Sequence, residues 1–397
     1  MANIQVSQSL DHDVHLLKEM VNVDSQTNNV SGVNHIQKMI AKSLNQIGFK
    51  NNFIENKEYA TGDLLISNRN GNSNYNVTLV AHGDTVSGPC EKYSFSGSTT
   101  QDYLFGPGIA DNKAGILIAL RGLRNFLEHK KYPKFNIQLI ISPSEELGSQ
   151  GFHQAFKKIG RASDIVLGFE PALNEGSIIT SRKGNRWYKI SVYGQSGHSG
   201  RVGKNALNAA HELSLIISQL HQLNNLFSDV SVNVGSIKTN HDKFNIICGE
   251  ATAKVDVRFS TKKSRDIIHQ MIIDILNSPT IVKKNTGERC RTLFSIEDDC
   301  PPFERCNKTN NFSNYYNNLI KNIEGISHKR EQSGGAADIN YLADSNTIAF
   351  DGLGPIAGNI HRKDEYIKTT SLDSRSKALT QFLIHLDEEF FSNQITT

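Results

Sequence analysis

Seven side chains of types that bind metals or move protons stand in five short motifs: His82 and Asp84 in AHGD, Asp111 in GPGIADNK, Glu145 and Glu146 in SPSEELG, Glu170 in GFEP, and His361 in GNIHRKDE. The first four motifs fall just past predicted strand ends, and His361 lies in a Gly-rich loop after a predicted strand, Thr347 to Phe350. In open α/β sheets ligands bind beyond the carboxyl ends of the strands, so residues far apart in sequence can converge there. Singly, a His or Asp at such a position reads as a cap or turn residue. Jointly, two imidazoles and three or more carboxylates concentrate negative charge that is costly to bury unless cations neutralise it. Asp111, Glu146 and Glu170 with two zinc ions would carry a net charge of roughly +1, which favours deprotonating a shared water near neutral pH. The chemistry predicted is hydrolysis.

Such convergence needs a sheet. Helical spacing of Val14, Leu17 and Val21 marks one helix, and a second is predicted from an N-cap at Ser31 through Ile36, Ile40, Leu44 and Ile47 to Gly48. Strands are predicted at Asp63 to Ser67, Asn76 to Ala81, Asn136 to Ser142 and Asp164 to Phe169, with a helix from about Asn112 to His129. This alternation predicts an α/β fold with a mixed, largely parallel sheet flanked by helices. From about Ser177 the pattern becomes strand, helix, strand, strand, helix, strand, the order of a ferredoxin-like α+β unit. It places an inserted domain at 183–299, between a first part of the larger domain at 1–182 and a second at 300–397.

Composition narrows the function classes. The 397 residues hold 43 Lys+Arg and 40 Asp+Glu, a net charge of +3. The surplus forms no basic block, which argues against a nucleic-acid partner. No stretch reaches about 18 apolar residues and the N-terminus lacks a signal-peptide pattern, so a cytoplasmic protein that spans no membrane is expected. Five scattered cysteines, Cys90, Cys248, Cys290, Cys300 and Cys306, suggest neither a disulfide framework nor a thiolate zinc site. A metal would be held by His and carboxylates.

The stretches AHGDTV, GPGIADNKAGI, SPSEELGSQG, GFEPA, GQSGHSG and GNIHRKDEY occur in an order that resembles the M20 family of zinc peptidases and amidohydrolases, in particular its glutamate carboxypeptidase-like (carboxypeptidase G-type) branch. The resemblance extends over essentially the whole chain. It implies that His82 and Glu170 bind one zinc, that Glu146 and His361 bind the other, and that Asp111 bridges them. It further implies that Glu145 is the general base acting on the metal-bridging water and that Asp84 orients His82. The family has a cis peptide after the bridging Asp, here Asp111–Asn112. His198 of SGHSG is implied to meet the scissile carbonyl from the partner subunit of a homodimer. Asn245 and Arg258 match positions that hold the substrate carboxylate or polarise its carbonyl, and Gly335 belongs to a substrate-lining loop. Cobalt or manganese would suit the same donors. The implied reaction is cleavage of an amide adjacent to a free carboxylate in a small peptide or N-acyl amino acid, by an exopeptidase or a deacylase. Two positions depart from the family: Ala337 stands where Ser or Thr is usual, and Cys300 where glutamate-releasing members carry Arg before Pro-x-Phe. Two other readings compete: a dimetal phosphoesterase, which the lack of a basic cluster disfavours, and a non-catalytic binding protein, which the intact acid and imidazole set disfavours.

Overall fold

The stretch NVTLVAH is apolar enough to be buried on both faces, as a strand in the middle of a parallel sheet must be. In the computed structural model, which describes residues 10–90, 93–97, 102–202, 206–344 and 347–390, it forms the strand Asn76–His82. The main sheet has the order Lys50–Ile54, Leu64–Arg69, Asn136–Ser142, Asn76–His82, Ile165–Gly168, Ile348–Phe350. The last four strands pair in parallel and the first two antiparallel. His82 stands opposite Ser142 in the register, so the strand ends that open AHGD and SPSEELG lie side by side.

Two helix starts differ from the sequence expectation. The helix Val30–Gln46 is capped by Asn29 rather than Ser31: the Asn29 carboxamide oxygen accepts from Gly32 N at 3.2 Å, while its Nδ2 donates to the Asp24 carbonyl. The helix expected from Asn112 begins at Ala114, because Asp111 and Asn112 have non-helical backbone angles in the segment that precedes it. Helix Ala114–His129 and helix Thr369–His385 contribute Ile118, Leu123, Phe126, Leu379 and Phe382 to one core with the sheet. A small sheet of Ala357–Gly358, Tyr366–Lys368 and Tyr103–Phe105 brackets the His361 loop, so a short strand intervenes between Phe350 and His361.

The chain divides into two compact units. One runs to Ser181 and resumes with Glu304–Ser333 and from Ala337 onward; the other is Arg182–Phe303 with Gly334–Ala336. The second unit is an antiparallel sheet in the order Ser231–Thr239, Glu250–Phe259, Gly184–Tyr193, Arg291–Cys300. That is the strand order of a ferredoxin-like unit. Helices Ala209–Gln222 and Lys262–Leu276 supply Leu213, Ile216, Ile268 and Ile272 to its own core, against Ile190, Val255 and Val257. No helix among the described residues is long and apolar enough to cross a membrane.

In the first unit the fully buried Phe382 ring meets Tyr316 and Phe350 edge-on at centroid distances of 5.3 and 5.7 Å. Phe382→Ala is expected to destabilise this unit by about 3–5 kcal/mol, measured by urea denaturation. A loss below about 1 kcal/mol would contradict this packing.

Candidate metal centre

Register and turn chemistry bring the acids together. His82 ends its strand, and two residues on the Asp84 carboxylate is fully buried. Asp84 Oδ2 accepts from Thr27 Oγ1 at 2.7 Å and from Glu146 N at 3.2 Å, and Oδ1 accepts from Glu145 N at 3.0 Å. The two glutamates open a 3-10 turn, Glu145–Leu147, whose first two amides Asp84 holds. Gly148 closes it with φ 80°, a conformation that favours glycine. Asp84 also faces His82 Nδ1, with Oδ1 at 3.2 Å and the backbone carbonyl at 3.1 Å. A proton held on Nδ1 by these acceptors leaves the Nε2 lone pair directed at the cluster.

Asp111 is the centre of the arrangement. Its Oδ1 lies 2.8 Å from His82 Nε2 and its Oδ2 lies 3.1 Å from His361 Nε2. Beside each imidazole is a second carboxylate: Glu170 Oε1 is 3.6 Å from His82 Nε2, and Glu146 Oε2 is 3.2 Å from His361 Nε2. The peptide Asp111–Asn112 is cis. His361 itself has φ 64°, an uncommon backbone for a non-glycine residue and one that occurs where a site over-determines it.

Without counter-cations the electrostatics are lopsided. Burial would depress the His82 imidazolium, yet hydrogen bonds with Asp111 and Asp84 and the Glu170 charge hold its pKa well above the ordinary value. His361 is pushed up to about 10 by Asp111 and Glu146. Burial would raise the Asp111 carboxyl, but its hydrogen bonds with His361 and His82 keep it ionised far below the usual range. Burial and the neighbouring Glu170 push Glu145 well above the carboxylate range, and burial also raises Glu146. Glu146 Oε1 is buried with no hydrogen-bond partner among the described residues. One ligand atom each from His82, Asp111 and Glu146 lie within 4.8 Å of one another. An unsatisfied carboxylate oxygen in a hard-oxygen and imidazole donor set fits a divalent cation. His82, Asp111, Glu146, Glu170 and His361 are the residues that would hold it.

Several supporting acids escaped the sequence reading. Asp351, fully buried, accepts from Glu170 N at 3.2 Å. Glu365 Oε1 accepts from Ala110 N at 2.8 Å and Asp111 N at 3.2 Å, and burial pushes its pKa up to about 7. Asp338 accepts from Ser149 Oγ at 2.6 Å, and Ser149 in turn meets Ser142 Oγ at 2.9 Å. Glu365 stands inside the GNIHRKDE motif and could have been noticed there; nothing local marks Asp351 or Thr27.

The other four predicted site residues lie in the second unit. His198 is exposed, opposite Ile246 in a two-stranded pairing, and the neighbouring Ser199 N donates to the Asn245 carbonyl at 3.0 Å. His198 and Asn245 therefore share one corner of that unit. Arg258 is on the strand Glu250–Phe259 between Ser231 and Asn185, and its Nε is paired with Asp256 at 2.9 Å. The Gly335 carbonyl accepts from Arg182 Nη1 at 3.1 Å.

Removing the Asp84 carboxylate would strand the Thr27 hydroxyl and the amides of Glu145 and Glu146 in a buried place. Asp84→Ala is expected to cost about 3 kcal/mol or more, at ~1–3 kcal/mol for each of the buried groups left unsatisfied. Urea denaturation of the metal-free protein checks it, and a loss under about 1 kcal/mol would contradict the role given to Asp84.

Two family models match the chain: a peptidase dimerisation domain over residues 180–283 and peptidase family M28 over residues 65–217. Carboxypeptidase G2 of Pseudomonas sp. (strain RS-16) is 23% identical over 94% of this chain and 89% of its own length. Succinyl-diaminopimelate desuccinylase of Orientia tsutsugamushi (strain Ikeda) is 24% identical over 91% of this chain and 92% of its own length. Among solved structures, a tripeptidase from Staphylococcus aureus superimposes with a TM-score of 0.78 at 18% identity, covering 96% of this chain and 99% of its own. An M20 family metallo-carboxypeptidase from Sulfolobus solfataricus does so with 0.74 at 17% identity, covering 94% and 98%. These two share the fold. The matched dimerisation domain, the relatives aligned over nearly their full length and the buried His and carboxylate cluster support an M20-type metal-dependent peptidase or amidohydrolase.

Proposed function

We propose that the chain is a dizinc hydrolase that cleaves an amide bond adjacent to a free carboxylate, as an exopeptidase or an N-acyl-amino-acid deacylase. The observation that carries the reading is the two-sided Asp111 carboxylate. Each of its oxygens faces a different histidine, and each histidine has a second carboxylate beside it. Two half-sites, His82 with Glu170 and His361 with Glu146, share one bridging acid. The relatives' names, a carboxypeptidase and a desuccinylase, both describe amide hydrolysis.

Two divalent ions bound there would supply Lewis acidity and lower the pKa of water toward neutrality. The remaining work falls to side chains of the protein. Asp84 fixes the His82 tautomer and, through two amides, the turn that carries Glu145 and Glu146. Glu145, whose pKa is raised by burial and the neighbouring Glu170, takes a proton from the attacking water and delivers it to the leaving amine. His198, with Asn245 at the same corner of the second unit, is assigned to the developing oxyanion, and Arg258 and Gly335 to substrate binding. Cys300 in place of Arg argues against a strong preference for C-terminal glutamate.

The functional form is assigned as a homodimer through the second unit. Its edge strands Ser231–Thr239 and Arg291–Cys300 expose Ile237, Leu293, Phe294 and Ile296, and unpaired apolar edges are normally covered. Five free cysteines support a reducing, cytoplasmic setting.

The test is hydrolysis of a panel of N-acyl amino acids and dipeptides by zinc-loaded protein, beside a chelated control and Glu145→Ala. Chelator-sensitive release of an amino acid is expected, with Glu145→Ala retaining zinc and fold but losing at least about 100-fold in rate. A Glu145→Ala enzyme that keeps most of its activity would overturn the role of Glu145. Light scattering is expected to give a dimer, and an active monodisperse monomer would remove a role for His198 across subunits.

A further inference from the structure

Asp111 and His361 arrive at the centre from segments about 250 positions apart, and neither lies on a strand of the main sheet. Both are the ends of loops. Asp111 follows a tight passage in which Gly106 has φ 156° and Gly108 has φ 62°; His361 follows Asn359, with φ 55°. Loops of this kind need an external tie to hold a side chain in place.

One residue ties both. Glu365 is 1% exposed, and its side-chain Oε1 accepts from the amides of Ala110 and Asp111 itself, at 2.8 and 3.2 Å. Its backbone carbonyl accepts from Gly106 N at 3.2 Å, and its amide donates to the Arg362 carbonyl at 3.1 Å. The Arg362 carbonyl also accepts from Tyr93 Oη at 2.7 Å. Glu365 thus grips the Asp111 loop with its side chain and carbonyl, while its own amide closes the turn from Arg362 to Glu365 that directly follows His361. The first half-site meets Glu365 only through Asp111. His82 sits at the end of a central strand, and Glu170 follows Gly168 of the neighbouring strand, with its amide held by Asp351.

We propose that Glu365 is a positioning residue that acts chiefly on the second half-site: it sets the Asp111 Oδ2 to His361 Nε2 approach, so that occupancy at His361 and Glu146 depends on it more steeply than occupancy at His82 and Glu170, which feels it only through Asp111. The proposal rests on the dizinc reading and concerns which residue makes the two positions unequal. Glu365 does not touch substrate or metal; it acts through the backbone of one ligand and the turn of the other.

The experiment is zinc binding by equilibrium dialysis, with metal counted per chain, for the full-length wild type, Glu365→Ala and Glu365→Gln. Folding is checked by circular dichroism and by the melting temperature of the metal-free form. Wild type is expected to bind two zinc ions. Glu365→Ala is expected to bind one within about threefold of wild type and the other about 10–100-fold more weakly, the size typical when a ligand's supporting contact is lost. Glu365→Gln keeps an oxygen that can accept both amides and is expected to stay within about threefold of wild type at both positions. Two ions bound unchanged by a folded Glu365→Ala would overturn the proposal. So would equal weakening at both positions, which indicates general destabilisation, or a Glu365→Gln protein as impaired as Glu365→Ala, which would assign the effect to charge. If Glu365→Ala does not fold, Glu365→Gln alone decides by whether it retains both ions. A wild type that binds no zinc would instead refute the dizinc reading itself.

Discussion

The structure is organised by the problem of keeping many carboxylates together away from water. Asp84, Asp111, Glu146, Glu170, Asp351 and Glu365 are all gathered at one pole of the main sheet, and a buried carboxylate without a partner is among the costliest groups a protein can hold. The chain answers in two ways. Asp84, Asp351 and Glu365 turn toward backbone amides and take them as hydrogen-bond donors. Asp111, Glu146 and Glu170 turn toward the two imidazoles instead, leaving Glu146 Oε1 unsatisfied among the described residues. The inner acids need positive charge, and the outer acids hold the segments that carry them.

This division explains why the ligand set is built on loops and turns without being loose. The amides captured by the outer acids belong to Glu145, Glu146, Glu170 and Asp111, four of the residues that the proposed mechanism uses. The uncommon backbone at His361 and the cis peptide after Asp111 sit within this scaffold. The central strand ends supply the rigid reference: His82 is fixed by the ladder that pairs it with Ser142.

Much of this was legible in the sequence. The alternation of apolar strands and amphipathic helices gave a largely parallel α/β sheet, because strands buried on both faces are uniformly apolar. The strand–helix order after Ser177 matches the antiparallel sheet of the second unit. The inner acids and both histidines were legible as a group because they cluster after strand ends. Of the outer acids, Asp84 was legible, but Asp351 and Glu365 act through hydrogen bonds from amides distant in sequence, and Thr27 acts by donating its hydroxyl to Asp84; a composition or spacing pattern does not reveal such long-range ties. The shift of a helix cap from Ser31 to Asn29 has a similar cause, since both residues can cap and the Asp24 carbonyl decided between them. The 3-10 turn at Glu145 escaped notice because Asp84, not the turn sequence itself, draws both amides inward.

The central claim is that the inner acids exist to hold two cations, one on each side of Asp111. The most direct test is anomalous X-ray scattering at the zinc edge from crystals of the zinc-loaded protein. Two peaks are predicted, one bounded by His82, Asp111 and Glu170 and the other by Asp111, Glu146 and His361. No peak at this cluster, or density confined to other parts of the chain, would contradict the account.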